Sequence, residues 1–158
     1  MSYRFFLYSY DSLDNFLKCK EKNLLGFPKG KDYSWSKVFH LQPGDIVLIR
    51  NSSTKTHLEF FGHCVVIENA YEEDGNILIW GNELLQNEVI YPIRVKVDFD
   101  SIDIKKLYTI NWADLETLNW RNKKNRRLLD KKALAVKFSK GNFVEGVDAE
   151  NLANLLNI

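Results

Sequence analysis

"FFLYSYDSLDNFLKCKEKNLLGF", residues 5–27, changes pattern twice within one short stretch. Residues 3–9 are aromatic-rich and read as a buried first strand. Asp11 or Ser12 then offers a helix N-cap, and Leu13, Phe16, Leu17 and Leu24 recur at helical spacing. Gly26-Phe27-Pro28 and Lys29-Gly30 break that helix into a loop. Ser9, Tyr10 and Asp14 therefore sit at a strand-to-helix seam, where a polar group is positioned by two rigid elements at once.

Outward from this unit the pattern is mainly strand. Pro43-Gly44-Asp45 is a turn that launches an apolar strand over 46–49. A further strand follows over 60–67, with Gly62 inside it marking a bulge or a close backbone approach. Asp74-Gly75 signals a hairpin turn, and residues 77–80 and 90–99 give two more strands. Ile93, Val95 and Val97 alternate with Arg94 and Lys96, which implies one wet face. Residues 107–120 read as helical in part, 133–138 as a closing strand, and Asp148 as the cap of a terminal helix carrying Leu152, Leu155 and Leu156. The expected class is α+β: a curved mixed sheet or small barrel with a helix near each end.

The bulk composition sets bounds. A chain of 158 residues with 45% hydrophobic and 27% charged residues fits one globular domain spanning 1–158. Its apolar runs are far short of a bilayer span, and the N-terminus lacks a signal peptide's apolar stretch, so a cytoplasmic protein with no membrane partner is expected. Two cysteines, Cys19 and Cys64, lie in unrelated segments and read as free buried thiols. There is no Gly-rich phosphate loop, no His-Glu-x-x-His helix, no zinc-spaced cysteine pair and no serine nucleophile elbow. His40, His57 and His63 are scattered outside any ligand pattern. These absences argue against a cofactor enzyme and lead to an expectation of no cofactor and no catalytic residue. Net charge is only +1, yet the run 121–127 holds five cations and no acid. One basic patch on a neutral protein suffices to hold a polyanion locally, and such a run reads equally as a solvated surface.

The order of these pieces resembles the PUA-like superfamily, close to its EVE and YTH branches. "FFLYSYDSLDNF" is similar to the first strand and helix start of a YTH domain, where Ser-Tyr is followed four residues later by Asp. "LLGF" resembles the EVE turn, with Leu25 where an aromatic is usual. "LQPGDIVLIRN" and "FFGHCVVI" resemble the Gly-Asp turn with its strand and the next Gly-containing strand. "ILIW" and "VIYPIRVKV" resemble the tryptophan segment and the Pro-x-Arg-Val strand. The likeness covers residues 3–99.

The resemblance implies a non-catalytic module that holds a modified, methylated base flipped from its strand. It implies that Ser9 and Tyr10 line the pocket, Asp14 accepts a hydrogen bond from the base, Asn51 stands at the rim and Trp80 forms a wall. Either Leu25 itself serves as a wall, or Phe27, Tyr33 or Trp35, the last in a Lys-rich loop, replaces the usual aromatic. Phosphates of the flanking strand would fall to Lys29, Lys31, Lys37, Arg50 and the run Arg121, Lys123, Lys124, Arg126 and Arg127. Bland readings stand beside these: Asp14 as completing an N-terminal helix cap beneath Asp11, Trp80 as a core tryptophan, and Tyr10 as a strand-end packing residue. Methylated DNA is favoured over RNA, with N6-methyladenine and the 5-substituted cytosines both admissible. The implied setting is a modification-dependent restriction system of McrBC type, with a separate GTP-driven motor and nuclease. Rival readings are an RNA reader of the same fold, a small ASCH-like hydrolase and a protein-interaction domain.

Overall fold

The computed structural model describes residues 4–10, 12–30, 34–53, 57–99, 108–116, 120, 127, 138 and 141–157, except the side chains at 34–35, 51–53, 57–61, 108–110, 112 and 116. Among the described residues eight strands form one mixed sheet: β1 (Arg4–Tyr8), β2 (Leu24–Phe27), β3 (Ile46–Ser53), β4 (His57–Val66), β5 (Tyr71–Glu72), β6 (Ile93–Asp98), β7 (Tyr108–Asn111) and β8 (Phe143–Glu145). The order is β2-β6-β4-β3-β1-β8, with β5 beside β6 and β7 beside β4. Among the described residues the helices are α1 (Leu13–Lys22), α2 (Ser34–Val38), α3 (Gly81–Gln86), α4 (Trp112–Glu116) and α5 (Gly146–Leu156). This is the expected α+β arrangement of a curved sheet flanked by helices.

β1 is the axis of the fold. It lies parallel to β3, Phe5 opposite Ile46, and antiparallel to β8, Phe5 opposite Val144. A strand paired on both edges and covered on both faces must be apolar throughout, which explains the unbroken run from Phe5 to Tyr8. Its alternating side chains divide the interior. Phe6 and Tyr8 join Val47, Ile49, Cys64, Trp80 and the α1 residues Phe16 and Cys19 in one core. Phe5 and Leu7 join Leu48, Leu115, Trp120, Phe138 and the α5 residues Ala149, Leu152 and Leu156 in the other. Each fully buried aromatic or aliphatic side chain contributes about 1.5–3 kcal/mol of transfer free energy.

The Pro-Gly-Asp turn anchors β1 to β3. Gly44 adopts φ +94, and the Asp45 carboxylate accepts from the Gln42 amide at 2.8 Å and pairs with Arg4 at the start of β1. Gly62 marks a bulge, as its place in the sequence suggests: Ile49 faces Gly62, whereas Arg50 faces Phe60.

Several elements depart from the sequence reading. Helix α1 stops at Lys22, because Asn23 turns left-handed at φ 52, and Leu24–Phe27 continues as a strand against β6. The inner face of α1 is Phe16 and Cys19, while Leu13 and Leu17 are exposed. Residues 77–80 form no strand; they lead into α3, which carries the sequence GNELLQ and lacks any long apolar period to announce it. Within 107–120, β7 precedes the short α4. The terminal helix starts at Gly146, with Asp148 in its first turn. Of the closing strand read at 133–138, all but the buried Phe138 lies outside the described residues. No helix among the described residues is long and apolar enough to cross a membrane.

Candidate nucleic-acid interface at the seam of α1 and α3

Two helices and one loop meet above the first core. Ser12 caps α1, its Oγ accepting from the Asn15 amide at 3.2 Å, and this fixes the first turn. From there α1 presents Asn15 and Cys19 to the same side. The Cys19 thiol accepts the indole N–H of Trp80 at 3.2 Å. Burial pushes this thiol's pKa up, against the opposing pull of the indole.

The segment from Glu73 to Arg94 is organised by one buried carboxylate. Glu83, in α3, is 0% exposed. Its Oε1 accepts from the Ile79 and Trp80 amides at 3.0 and 3.4 Å, and its Oε2 from the Ile90 and Tyr91 amides at 2.8 and 2.9 Å. Arg94 adds its guanidinium at 3.3 Å. Burial alone would raise the Glu83 pKa, but the four amides outweigh it and hold the carboxyl below its ordinary value. Arg94 is also 0% exposed and donates to the carbonyls of Tyr91 and Ile77 at 3.0 and 2.8 Å. Its Nη1 faces Glu73 at 3.5 Å without hydrogen-bond geometry. The alternation in β6 therefore does not place Arg94 on a wet face. Its charge is buried because α3 and the Glu73 loop supply two carboxylates that sequence spacing cannot reveal.

This knot presents Trp80 and Tyr91. Trp80 is 1% exposed, in edge contact with Tyr91 at 5.2 Å, and the Arg94 guanidinium lies 5.3 Å from its ring centroid. The indole also lies against Gly26, where a Cβ would fall 2.3 Å from Cη2. The Tyr91 hydroxyl accepts from the side-chain amides of Asn15 and Asn82, each at 2.9 Å. Two carboxamides from different helices thus converge on one phenol. Each keeps a second amide hydrogen, and the Asn15 carbonyl oxygen remains as an acceptor; these are the complementary groups that a base edge requires.

The expected site residues fall as follows. Ser9 and Tyr10 are half-buried at the seam, and Tyr10 stacks on Phe16 at 5.0 Å, with burial pushing its pKa up. Asp14 is exposed. At about 100° per residue it lies about 140° round the helix from Cys19, whereas Asn15 lies about 40° from it. Asp14 therefore does not converge with Trp80, and Asn15 does. Leu25, at 0% exposure, and Trp80 belong to the core, so neither offers a free face as a slot wall here. Trp35 and Asn51 sit on α2 and β3, with side chains outside the described set. Of the cations, Lys29 pairs with Glu72 at 2.9 Å, Lys37 donates to Asn142 at 3.1 Å, and the half-buried Arg50 donates to the Phe138 carbonyl at 3.1 Å. Arg127 is exposed; Lys31, Arg121, Lys123, Lys124 and Arg126 lie outside the described residues. Asn15, Asn82 and Tyr91 carry no local motif. An asparagine between Asp14 and Phe16 is the one signal, since a polar residue flanking a buried one on a helix needs a partner.

No group of three or more His, Cys, Asp or Glu placed to hold a metal occurs among the described residues. No protein-family model matches the chain. A Caenorhabditis elegans protein, spliceosome associated factor 3, U4/U6 recycling protein, is 41% identical over 39 residues, which is 25% of this chain and 5% of that protein. Two solved structures align over 98% of the chain. The YTH domain of Zygosaccharomyces rouxii MRB1 protein, in complex with N6-methyladenosine RNA, is 14% identical, with 86% of its chain covered and a TM-score of 0.57. Human THYN1, in complex with 5-methylcytosine-containing DNA, is 13% identical, with 96% covered and a TM-score of 0.50. The chain thus shares its overall fold with the MRB1 YTH domain and with THYN1.

Proposed function

We propose that this chain is a non-catalytic nucleic-acid-binding module that reads a modified, methylated base at the seam of α1 and α3, within one recognition domain spanning 1–158. The observation that carries the reading is the convergence of Asn15 and Asn82 on the Tyr91 hydroxyl, beside the Ser9-Tyr10 lip of β1. The fold supports it, since the MRB1 and THYN1 structures hold methylated RNA and methylated DNA respectively. Physically, a methyl group buried on binding contributes only about 0.8 kcal/mol, roughly fourfold. Discrimination therefore needs directed polar partners as well, and two pre-oriented carboxamides supply them. Extruding a base costs a few kcal/mol, so phosphate contacts must offset it.

In its finer form the proposal is a specificity module for methylated DNA that serves a separate GTP-driven motor and nuclease of the McrBC type. This rests on the sequence resemblance. The RNA reading is the second one, favoured by the higher TM-score of the RNA-bound relative. One screen tests both, using DNA and RNA oligonucleotides that carry N6-methyladenine, 5-methylcytosine or no modification. The expected result is preference for one modified base, with Asn15→Ala and Asn82→Ala each reducing that preference by about twofold to tenfold, the worth of one hydrogen bond. Equal binding of modified and plain oligonucleotides by the wild-type chain would reject base reading.

A further inference from the structure

β1 has two ends, and only one of them leads to the seam. At its other end Arg4, Lys37, His40, Asn142, Phe143 and Glu145 line an open groove of about 430 Å³. Its floor is built: the Arg4 guanidinium lies 4.5 Å from the Phe143 ring centroid, and its Nε and Nη2 are held by Asp45 and the His40 carbonyl. Among the described residues this leaves Nη1 without an acceptor. Lys37, from α2, donates one of its three ammonium hydrogens to Asn142. His40 is exposed and also lines this groove.

The groove and the seam share a face of the sheet. Arg4 alternates with Phe6 and Tyr8, and those two side chains pack in the core beneath α1. The five residues of β1 separate the two places by about 17 Å at the rise of a strand. Arg4 and Lys37 are balanced in charge by Asp45 and Glu145, so the groove does not gather polyanions by field alone. What it offers is a few directed N–H donors on a pre-oriented guanidinium and an ammonium, a set that suits one tetrahedral oxyanion.

We propose that this groove is a phosphate subsite. It holds one backbone phosphate of the strand whose base is read at the α1–α3 seam, and so fixes the path of that strand along β1. The inference rests on the base-reading function for its ligand and on the groove alone for its chemistry.

Two probes separate these parts: a fluorescein-labelled single-stranded oligonucleotide with one modified base together with its unmodified twin, and inorganic pyrophosphate followed through the His40 ring signals by NMR. Lys37→Ala and His40→Ala are expected to weaken both twins by the same factor, about threefold to tenfold. Lys37→Ala should also flatten the dependence of log affinity on log salt by about 0.7–0.9, whereas Lys37→Arg keeps it. Circular dichroism checks that each variant is folded. Affinities unchanged in both variants, with His40 signals unmoved by pyrophosphate, overturn the subsite; so does a loss confined to the modified twin. If pyrophosphate shifts His40 in the wild type but not in Lys37→Ala while neither twin binds, the phosphate site stands and base reading falls.

Discussion

Glu83 ties several separate stretches of the chain together. Four backbone amides and Arg94 converge on it, so Glu83→Ala leaves a buried guanidinium and four donors without their acceptor. A loss of about 3–5 kcal/mol in folding free energy is expected, measurable by denaturant unfolding. Its pH signature follows from the lowered pKa. A carboxylate held below its unfolded value of about 4.3 contributes fully above that pH and loses its contribution as pH falls through the folded value. Glu83→Gln should therefore be less stable at neutral pH and show a flatter decline below about pH 4.5; parallel acid limbs would contradict the assignment. Gly26 makes a different demand. A methyl there meets the Trp80 ring, which Tyr91 and Arg94 back from other sides, so Gly26→Ala is expected to cost about 1–3 kcal/mol. An unchanged denaturation midpoint would show that the indole can move aside.

Helices α1, α3 and α5 all end in the same way, on an asparagine at left-handed φ: Asn23, Asn87 and Asn157 at 52, 53 and 57. Asparagine tolerates this region because its short polar side chain bonds locally. At Asn23 the end is also a weld, since its carbonyl accepts from Val97 at 3.1 Å and its Oδ1 from the Phe99 amide at 3.3 Å. Asn23→Ala should cost about 1–2 kcal/mol and loosen α1 from β6, seen as faster amide exchange at Val97 and Phe99. Equal protection of both amides in the variant would rule out the weld. Among the elements, the first strand, the Pro-Gly-Asp turn and the glycine bulge were legible because each has a local cause. Helix α3 was not, since its defining residue, Glu83, is a buried anion whose partners come from residues 79–80, 90–91 and 94. The strand Leu24–Phe27 was hidden in the same way, for its apolar residues fit a helical period until Asn23 reverses the chain.

At the scale of the whole molecule, a chain of formal charge +1 can bind nucleic acid only through local donors, so its affinity should depend moderately on salt. Raising salt from 50 to 200 mM is expected to lower oligonucleotide affinity, with a log–log slope of only a few units set by the number of phosphates neutralised. A slope near zero would mean that phosphates take no part. The modified-to-plain ratio should stay nearly constant across the same range, because the base contacts proposed for Asn15 and Asn82 would release no counterions.

Residue order alone determined the aromatic central strand, the mixed α+β class and a helix capped at Asp11 or Ser12 after Ser9 and Tyr10, the seam at which the site is proposed. These follow from nearest neighbours and from periods of two and 3.6 residues, which any chain of this sequence carries. Only the tertiary structure decided that Asn15 rather than Asp14 faces inward, that Trp80 and Leu25 are core, and that Arg94 is buried between two glutamates. The reason is that a side chain's direction on a helix is fixed by what packs beneath it, and a buried charge by partners far along the chain.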